Sequence, residues 1–260
     1  MRYRGRPRGT PSTDLPPSVF VAFIQNHDQV GNRAFGDRVT QFVPAEAVRA
    51  IAAVCLLLLP QIPMLFMGDE WGAPQPFPFF CDFAPELAAA VREGRRNEFS
   101  RFPEFQEPEA LERIPDPMAE ETFASAKLHW EDIAQSPHAR WCDFYSRVLA
   151  TRHSEIVPRL TAIRSAGRYD VLADGAVIVR WHLSGGMTLV LAANLTGART
   201  RIFPSVSGRV FWQEGEIAPD RSFGSWTVRW SIDEPPSDDI AQILPAEDNL
   251  GNGDETEEHV

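Results

Sequence analysis

Phe20-Val21-Ala22-Phe23-Ile24-Gln25-Asn26-His27-Asp28-Gln29-Val30-Gly31-Asn32-Arg33 is the stretch on which the fold reading turns. Its first half is a short run of β-branched and aromatic residues, which reads as a strand buried on both faces. The run breaks off at Gln25 into polar groups able to bind or polarise a ligand. A buried parallel strand ending in Asn-His-Asp is where an α/β barrel keeps its chemistry, at the carboxyl ends of its strands. The competing reading is a turn or helix start capped by Asp28, with His27 a surface histidine. The density of polar residues directly behind the apolar run, closed by Gly31, favours a site.

Working outward, Gln25 to Pro44 reads as a long loop, and Ala45 to Leu59 carries Ala and Leu at helical spacing between Pro44 and Pro60. Ile62 to Met67 reads as a second buried strand, with Gly68-Asp69-Glu70-Trp71-Gly72 as the loop at its carboxyl end. Strand, helix, strand in this order predicts two adjacent parallel strands, so that Asn26, His27, Asp28 and Asp69 share one end. A long aromatic loop follows from Ala73 to about His138, interrupted by a helix over Pro85 to Gly94. Ala139 to Glu155 is a further helix, with Trp141, Phe144, Tyr145, Val148 and Leu149 on its apolar face. Two strands cannot close an eight-stranded barrel. The residues alone leave an open α+β fold and the tail end of a barrel both standing.

Past Arg159 the period changes to short alternating runs separated by Asp-Gly, Gly-Gly and Thr-Gly turns, the pattern of antiparallel hairpins. Arg199 to Phe203 is among the expected strands. The organisation read from the chain is residues 1–158, then an all-β domain over 159–232, then a tail over 233–260. That tail holds ten Asp and Glu and no Lys or Arg, so it carries nearly all of the chain's net charge of −11. It is expected to be mobile and solvated, with a short helix near Asp238 to Leu244 as the exception. The absence of a basic face argues against a nucleic-acid partner. The longest apolar run, Ile51 to Pro60, is too short to span a membrane and reads as a buried helix. The Arg-rich start has no apolar segment behind it, so a cytoplasmic location is expected. Cys55, Cys81 and Cys142 lack metal or disulfide spacing, and free thiols are expected.

The run FVAFIQNHDQVGNRAFGDR resembles one segment of the alpha-amylase family of glycoside hydrolases. Within that family it is most like the trehalohydrolase group, whose Asn-His-Asp motif sits inside Gln-Asn-His-Asp-Gln-x-Gly-Asn-Arg. PQIPMLFMGDEWGAPQPFPFFCDF (60–83) and VREGRRNEFSRFPEF (91–105) carry the same resemblance, which extends from about Tyr3 to Leu160 and more loosely to Ile232. The resemblance implies the last two strands and helices of a (β/α)8 barrel followed by a small antiparallel β-sandwich, with the start of the barrel upstream. It implies hydrolysis of the α-1,4 bond next to the terminal trehalose unit of maltooligosyltrehalose or a related α-glucan, without cofactor or metal.

Retaining glycosidases use two carboxyl groups about 5–5.5 Å apart, a nucleophile and a general acid/base. The family adds a third carboxylate, and the resemblance assigns that transition-state role to Asp28. It assigns sugar contacts to His27, Asn26, Gln25 and Arg33, although Arg33 and Asn32 could equally pin the loop. The nucleophile and acid/base belong to strands that precede this motif, and nothing in residues 1–18 matches either. Asp69 and Glu70 are the local carboxylates on the correct face, read as support for the site. Phe77, Phe79, Phe80 and Phe83 are a platform for sugar rings or packing for the loop base. The stretch from Arg92 to Arg101, with Arg95, Arg96 and Glu98, reads as a solvated or salt-bridged helix end. Two other readings stay open: a branching or debranching enzyme of the same family, and a non-catalytic carbohydrate-binding or vestigial protein.

Overall fold

The computed structural model describes residues 2–3, 6–7, 9–173, 175–201, 203–204 and 208–234. The acidic tail and its expected helix lie outside the described residues, apart from Asp233 and Glu234. At the start, β1 (Arg2–Tyr3) and β2 (Arg6–Pro7) pair antiparallel. The deciding stretch forms β3 (Val21–Ala22), which pairs in parallel with β4 (Ile62–Pro63), Val21 opposite Ile62. Ile62 N–H donates to Phe20 O and Met64 N–H to Ala22 O, each at 2.9 Å. The expected adjacency and direction are therefore present. The regular strands are shorter than expected, and they are not buried on both faces: Val21 is 55% exposed and Ile62 50%. A two-stranded pair has two open edges, and no described element covers its outer face. Closing a (β/α)8 barrel requires strands that are not among the described residues.

Between these strands, α1 (His27–Gly31) begins directly after the apolar run. A second helix opens as α2 (Ala45–Ala47) and continues with wide π-type turns over Val48–Cys55. Leu56, Leu57 and Leu58 at its end are buried, as that apolar run predicts. Its last carbonyls would be orphaned at a buried helix end. Arg152 satisfies one of them, donating to Leu57 O at 2.6 Å, and reaches on to Leu59 O at 2.5 Å and Gln61 O at 2.8 Å in the turn beyond. The region expected as a long loop contains α3 (Pro85–Phe99), α4 (Pro108–Glu112) and α5 (Glu120–Ser125). The amphipathic segment behind it is α6 (His138–Thr151), continued by Arg152–Ile156.

The C-terminal strands β5 (Arg168–Ala173), β6 (Ala176–His182), β7 (Thr188–Asn194), β8 (Arg209–Glu214) and β9 (Thr227–Asp233) form one antiparallel sheet in the order β5-β6-β7-β9-β8. Among the described residues this is a single sheet, where a sandwich of two was expected. Among the described residues of the expected strand Arg199 to Phe203, Thr200 forms an isolated bridge with Phe223. The alternation along β7 explains why one sheet suffices. Leu189, Leu191 and Ala193 face a core shared with Leu57, Leu58, Phe144, Val148 and Trp230. Val190 and Ala192 face the other side, with Ile178, Phe203 and Phe223. Helices thus cover one face and a folded-back loop the other. Arg49 joins the layers, bonding Glu214 at 2.6 Å while its guanidinium lies 3.9 Å from the Phe144 ring centre.

One backbone contact fixes the two loops at the carboxyl ends of β3 and β4. Gly36 has φ +69°, and its carbonyl accepts from Phe77 N–H at 2.8 Å. A Cβ on Gly36 would stand 2.2 Å from Pro78 N and 2.4 Å from Phe77 C. Gly36→Ala is therefore expected to destabilise the chain by about 2–3 kcal/mol, from left-handed strain plus backbone overlap. Urea unfolding checks this, and a midpoint unchanged from wild type would contradict the tight docking of the two loops.

Candidate functional site

Asn26 turns the strand into a helix. Its backbone is extended and its Oδ1 accepts from Gln29 N–H at 2.9 Å, an N-cap in which the side chain satisfies a free donor of the first turn. His27 and Asp28 follow in that first turn with side chains 70% and 74% exposed, His27 Nε2 lying 3.4 Å from Asp28 Oδ1. The cap thus presents both groups outward, a carboxylate and an imidazole able to hold adjacent hydroxyls. Arg33 leaves the far end of α1, 3.6 Å from Asp37 and 3.9 Å from the centre of the Phe42 ring. It borders a cleft of about 480 Å³ that Phe35, Phe42, Phe102 and Phe105 also line.

Gln25 differs from the other four predicted site residues because it is buried. Its Nε2 donates to Asp69 Oδ1 at 2.5 Å and its Oε1 accepts from Val39 N–H at 2.9 Å. Both ends of the amide are engaged in holding the loops, which gives Gln25 a framework position. Asp69, expected as support, takes that position too. Its Oδ2 accepts from Phe66 N–H at 3.1 Å, and its Oδ1 lies 3.7 Å from Arg38 Nη1. Glu70 follows it in the short helical turn Asp69–Trp71.

The residue that sequence reasoning missed is Arg38, 1% exposed. It donates from Nε to Gln75 O at 2.6 Å and from Nη1 to Met67 O at 2.8 Å, and it lies 5.0 Å from the Phe66 ring centre. One guanidinium from the first loop thereby anchors the backbone of the second on both sides of Asp69. Arg95 does the same from behind. It is buried on α3 and donates to Gly31 O at 3.3 Å and Arg33 O at 3.4 Å, so Arg95 departs from the expected solvated or salt-bridged helix end, while Arg92 keeps to it through an ion pair with Asp116 at 2.8 Å. Neither was legible from residue type, since an arginine in a polar loop normally stays in water. The only hint was position, Arg38 two residues beyond a glycine that must turn the chain.

Of the four loop aromatics, Phe77 packs edge-on against Phe66 at 5.2 Å and Phe80 at 5.6 Å, and Phe80 against Phe123 at 5.2 Å. These two form the loop base. Phe79 and Phe83 are exposed. Cys81 and Cys142 are free thiols held above their usual range by burial, and the Cys55 side chain lies outside the described residues.

Burial pushes the Asp69 carboxyl up to about 6, opposed by the bonds from Gln25 and Phe66 and by the charge of Arg38. Between pH 4 and 6 the folded chain therefore holds a proton that the unfolded chain has released. This group's contribution to stability is fully present in acid and is lost as pH rises through about 6, a change of roughly 2–3 kcal/mol. Urea midpoints at pH 4, 5, 6 and 7 for wild type and Asp69→Asn isolate it. The difference between the two should shift across that window, and a constant difference would refute the raised carboxyl.

A family model described as "Domain of unknown function (DUF3459)" matches residues 164–247. Malto-oligosyltrehalose trehalohydrolase of Deinococcus radiodurans is 45% identical over 203 residues, 76% of this chain and 32% of its own length. The enzyme of that name from Mycobacterium tuberculosis is 35% identical over 222 residues, 85% of this chain and 36% of its own. The chain resembles the malto-oligosyltrehalose trehalohydrolases. It spans about a third of the length of these curated trehalohydrolases. Among solved structures, a Salmonella typhimurium protein provisionally named an alpha amylase superposes with a TM-score of 0.79 at 39% identity, covering 89% of this chain and 38% of that one. No helix among the described residues is long and apolar enough to cross a membrane.

Proposed function

We propose that the chain is the distal part of a glycoside hydrolase of the malto-oligosyltrehalose trehalohydrolase type, acting on the α-1,4 bond next to the terminal trehalose unit. In this reading residues 1–158 complete a (β/α)8 barrel, 159–232 form the β domain behind it, and upstream strands supply the nucleophile and the acid/base. Asp28 holds two hydroxyls of the sugar at the cleaved bond, His27 bonds the same ring, and Asn26 and Arg33 complete the contact surface. The observation that carries this is the parallel pairing of β3 and β4. It sets Asp28 and His27, both exposed, on the same end as the buried Gln25–Asp69–Arg38 network that fixes their loop. Hydroxyl groups would bond strongly to such a carboxylate, and more strongly as positive charge grows on the ring.

The open outer face of β3 and β4 supports the same reading, since apolar residues such as Val21, Phe23 and Ile62 suit further strands packed beside them. The test is release of free trehalose from maltooligosyltrehalose. The 260-residue chain alone should release none, whereas the chain joined to the upstream strands should. Turnover by the 260 residues alone would point to Asp69 or Glu70 as an unassigned nucleophile and overturn the assignment of roles.

A further inference from the structure

A cleft of about 450 Å³ opens on the β domain, and none of its walls belongs to the loops that carry Asp28 or Asp69. Glu46, Gly197, Arg199, Glu214, Glu216 and Trp226 line it. A buried side chain builds it. Asn194, 1% exposed, donates from Nδ2 to Ala198 O and to Gly224 O, each at 2.7 Å, and so pins the two opposite wall loops. Thr196 Oγ1 donates to Asn194 Oδ1 at 2.9 Å, and Thr227 Oγ1 to Glu216 O at 3.2 Å, closing the frame.

Trp226 stands in that frame at φ +49°. A bulky residue in the left-handed region is an outlier that costs about 1–3 kcal/mol and persists only where its surroundings impose it. Here its backbone N–H donates to Thr196 O at 2.9 Å, its side chain packs partly on the core, and the residue lines the cleft. The charges around it are largely matched. Glu214 bonds Arg49 at 2.6 Å, and Glu216 bonds Arg199 at 3.1 Å. Glu46 is exposed and has no ion-pair partner among the described residues.

Three carboxylates in one cleft repel an anionic ligand, and two of them are already tied to arginines, which does not suit a metal ion. Alternating acceptors and donors beside an aromatic face suit a neutral polyhydroxylated ring. Each hydroxyl can donate to a carboxylate and accept from the guanidinium, while the ring's apolar face stacks on indole. The size also lies in the range of small-molecule sites. We propose that this cleft is a second saccharide-binding site, separate from the Asp28 loop, with Trp226 as its platform and Glu46, Glu216 and Arg199 as hydroxyl partners. That the ligand is a neutral saccharide follows from the cleft; that it is an α-glucan chain rests on the function proposed above.

The test titrates the 260-residue chain with maltoheptaose, reading heat by calorimetry and the indole N–H signals by magnetic resonance. Wild type should bind saturably. Trp226→Ala should raise Kd at least about tenfold. Since the Trp226 variant could disturb its turn, Gly197→Leu provides a second arm. No atom lies within 4 Å of the position a Cβ would take there, so the fold should tolerate the side chain while the cleft narrows, again raising Kd about tenfold or more. Read at the indole N–H signal that Trp226→Ala removes, Asp28→Asn should leave the Kd of the cleft within about twofold. No saturable binding by wild type, or binding that survives both cleft variants, overturns the proposal. Binding lost in Asp28→Asn and kept in the cleft variants also overturns it, while leaving the functional reading in place. Cleft-dependent binding supports this site even if an Asp28→Asn enzyme carrying the upstream strands turns over normally, a result that would sink the functional reading alone.

Discussion

Arg38→Ala should cost about 3–5 kcal/mol of stability at neutral pH, a large share of what holds a domain of this size folded. The guanidinium is 1% exposed and donates to Gln75 O and Met67 O. Removing it leaves two carbonyls facing a void and the buried Asp69 carboxylate without its cation. Each loss alone is in the range of a buried unsatisfied group, and the charge adds to it. The deficit should also depend on pH. Asp69 already titrates near 6 because burial penalises its charge. Without Arg38 its carboxyl should rise further, so in acid it protonates and the uncompensated charge disappears. The variant should therefore be most impaired at pH 8 and recover part of its loss by pH 5. Urea unfolding of both proteins at the two pH values measures this. A loss below about 1 kcal/mol would show the guanidinium to be dispensable to the loops, and a deficit that does not shrink in acid would deny its coupling to Asp69.

The same network marks where the sequence could be read and where it could not. The apolar run ending at Ile24, the Ala and Leu spacing after Pro44 and the second run from Ile62 were enough to predict the parallel pair, because each is a periodicity that local geometry must obey. Asn26 as the residue that turns strand into helix was visible in residue type, since a short polar side chain before a helical turn is an N-cap signal. The β region was legible as alternating runs between glycine turns, and the register of β6, β7 and β9 follows that alternation. What failed was anything set by a third partner. Burial of β3 and β4 on both faces depends on neighbours beyond the pair. The resemblance grouped Gln25 with the sugar contacts, and nothing in its residue type showed that its amide spans two loops. Arg38 and Arg95 belong to a residue type expected in water, and only the convergence of carbonyls from distant segments makes their burial favourable. Trp226 likewise carries no local signal, because its backbone conformation is imposed by the walls that Asn194 ties together.

In the enzyme proposed above, with further strands joined ahead of this chain, Asp28→Asn should lower kcat by about 10²–10⁴-fold while changing KM far less. The substitution is nearly isosteric, and the Asp28 side chain is 74% exposed and packs against little, so the fold should be unaffected. The cap on α1 is also preserved, because Asn26 and not Asp28 accepts from Gln29 N–H. What changes is charge. A carboxylate bonding two hydroxyls of a ring that develops positive character gains strength along the reaction, whereas a neutral amide does not. An interaction made mainly in the transition state appears in kcat and in kcat/KM together, while one made equally in the ground state would appear in KM. Trehalose release measured over a range of maltooligosyltrehalose concentrations separates the two, with thermal unfolding as the check that the variant is folded. A raised KM with unchanged kcat would make Asp28 a simple substrate contact. Near-normal values of both would remove it from the site, leaving the exposed carboxylate no more than the first-turn acid of a short helix.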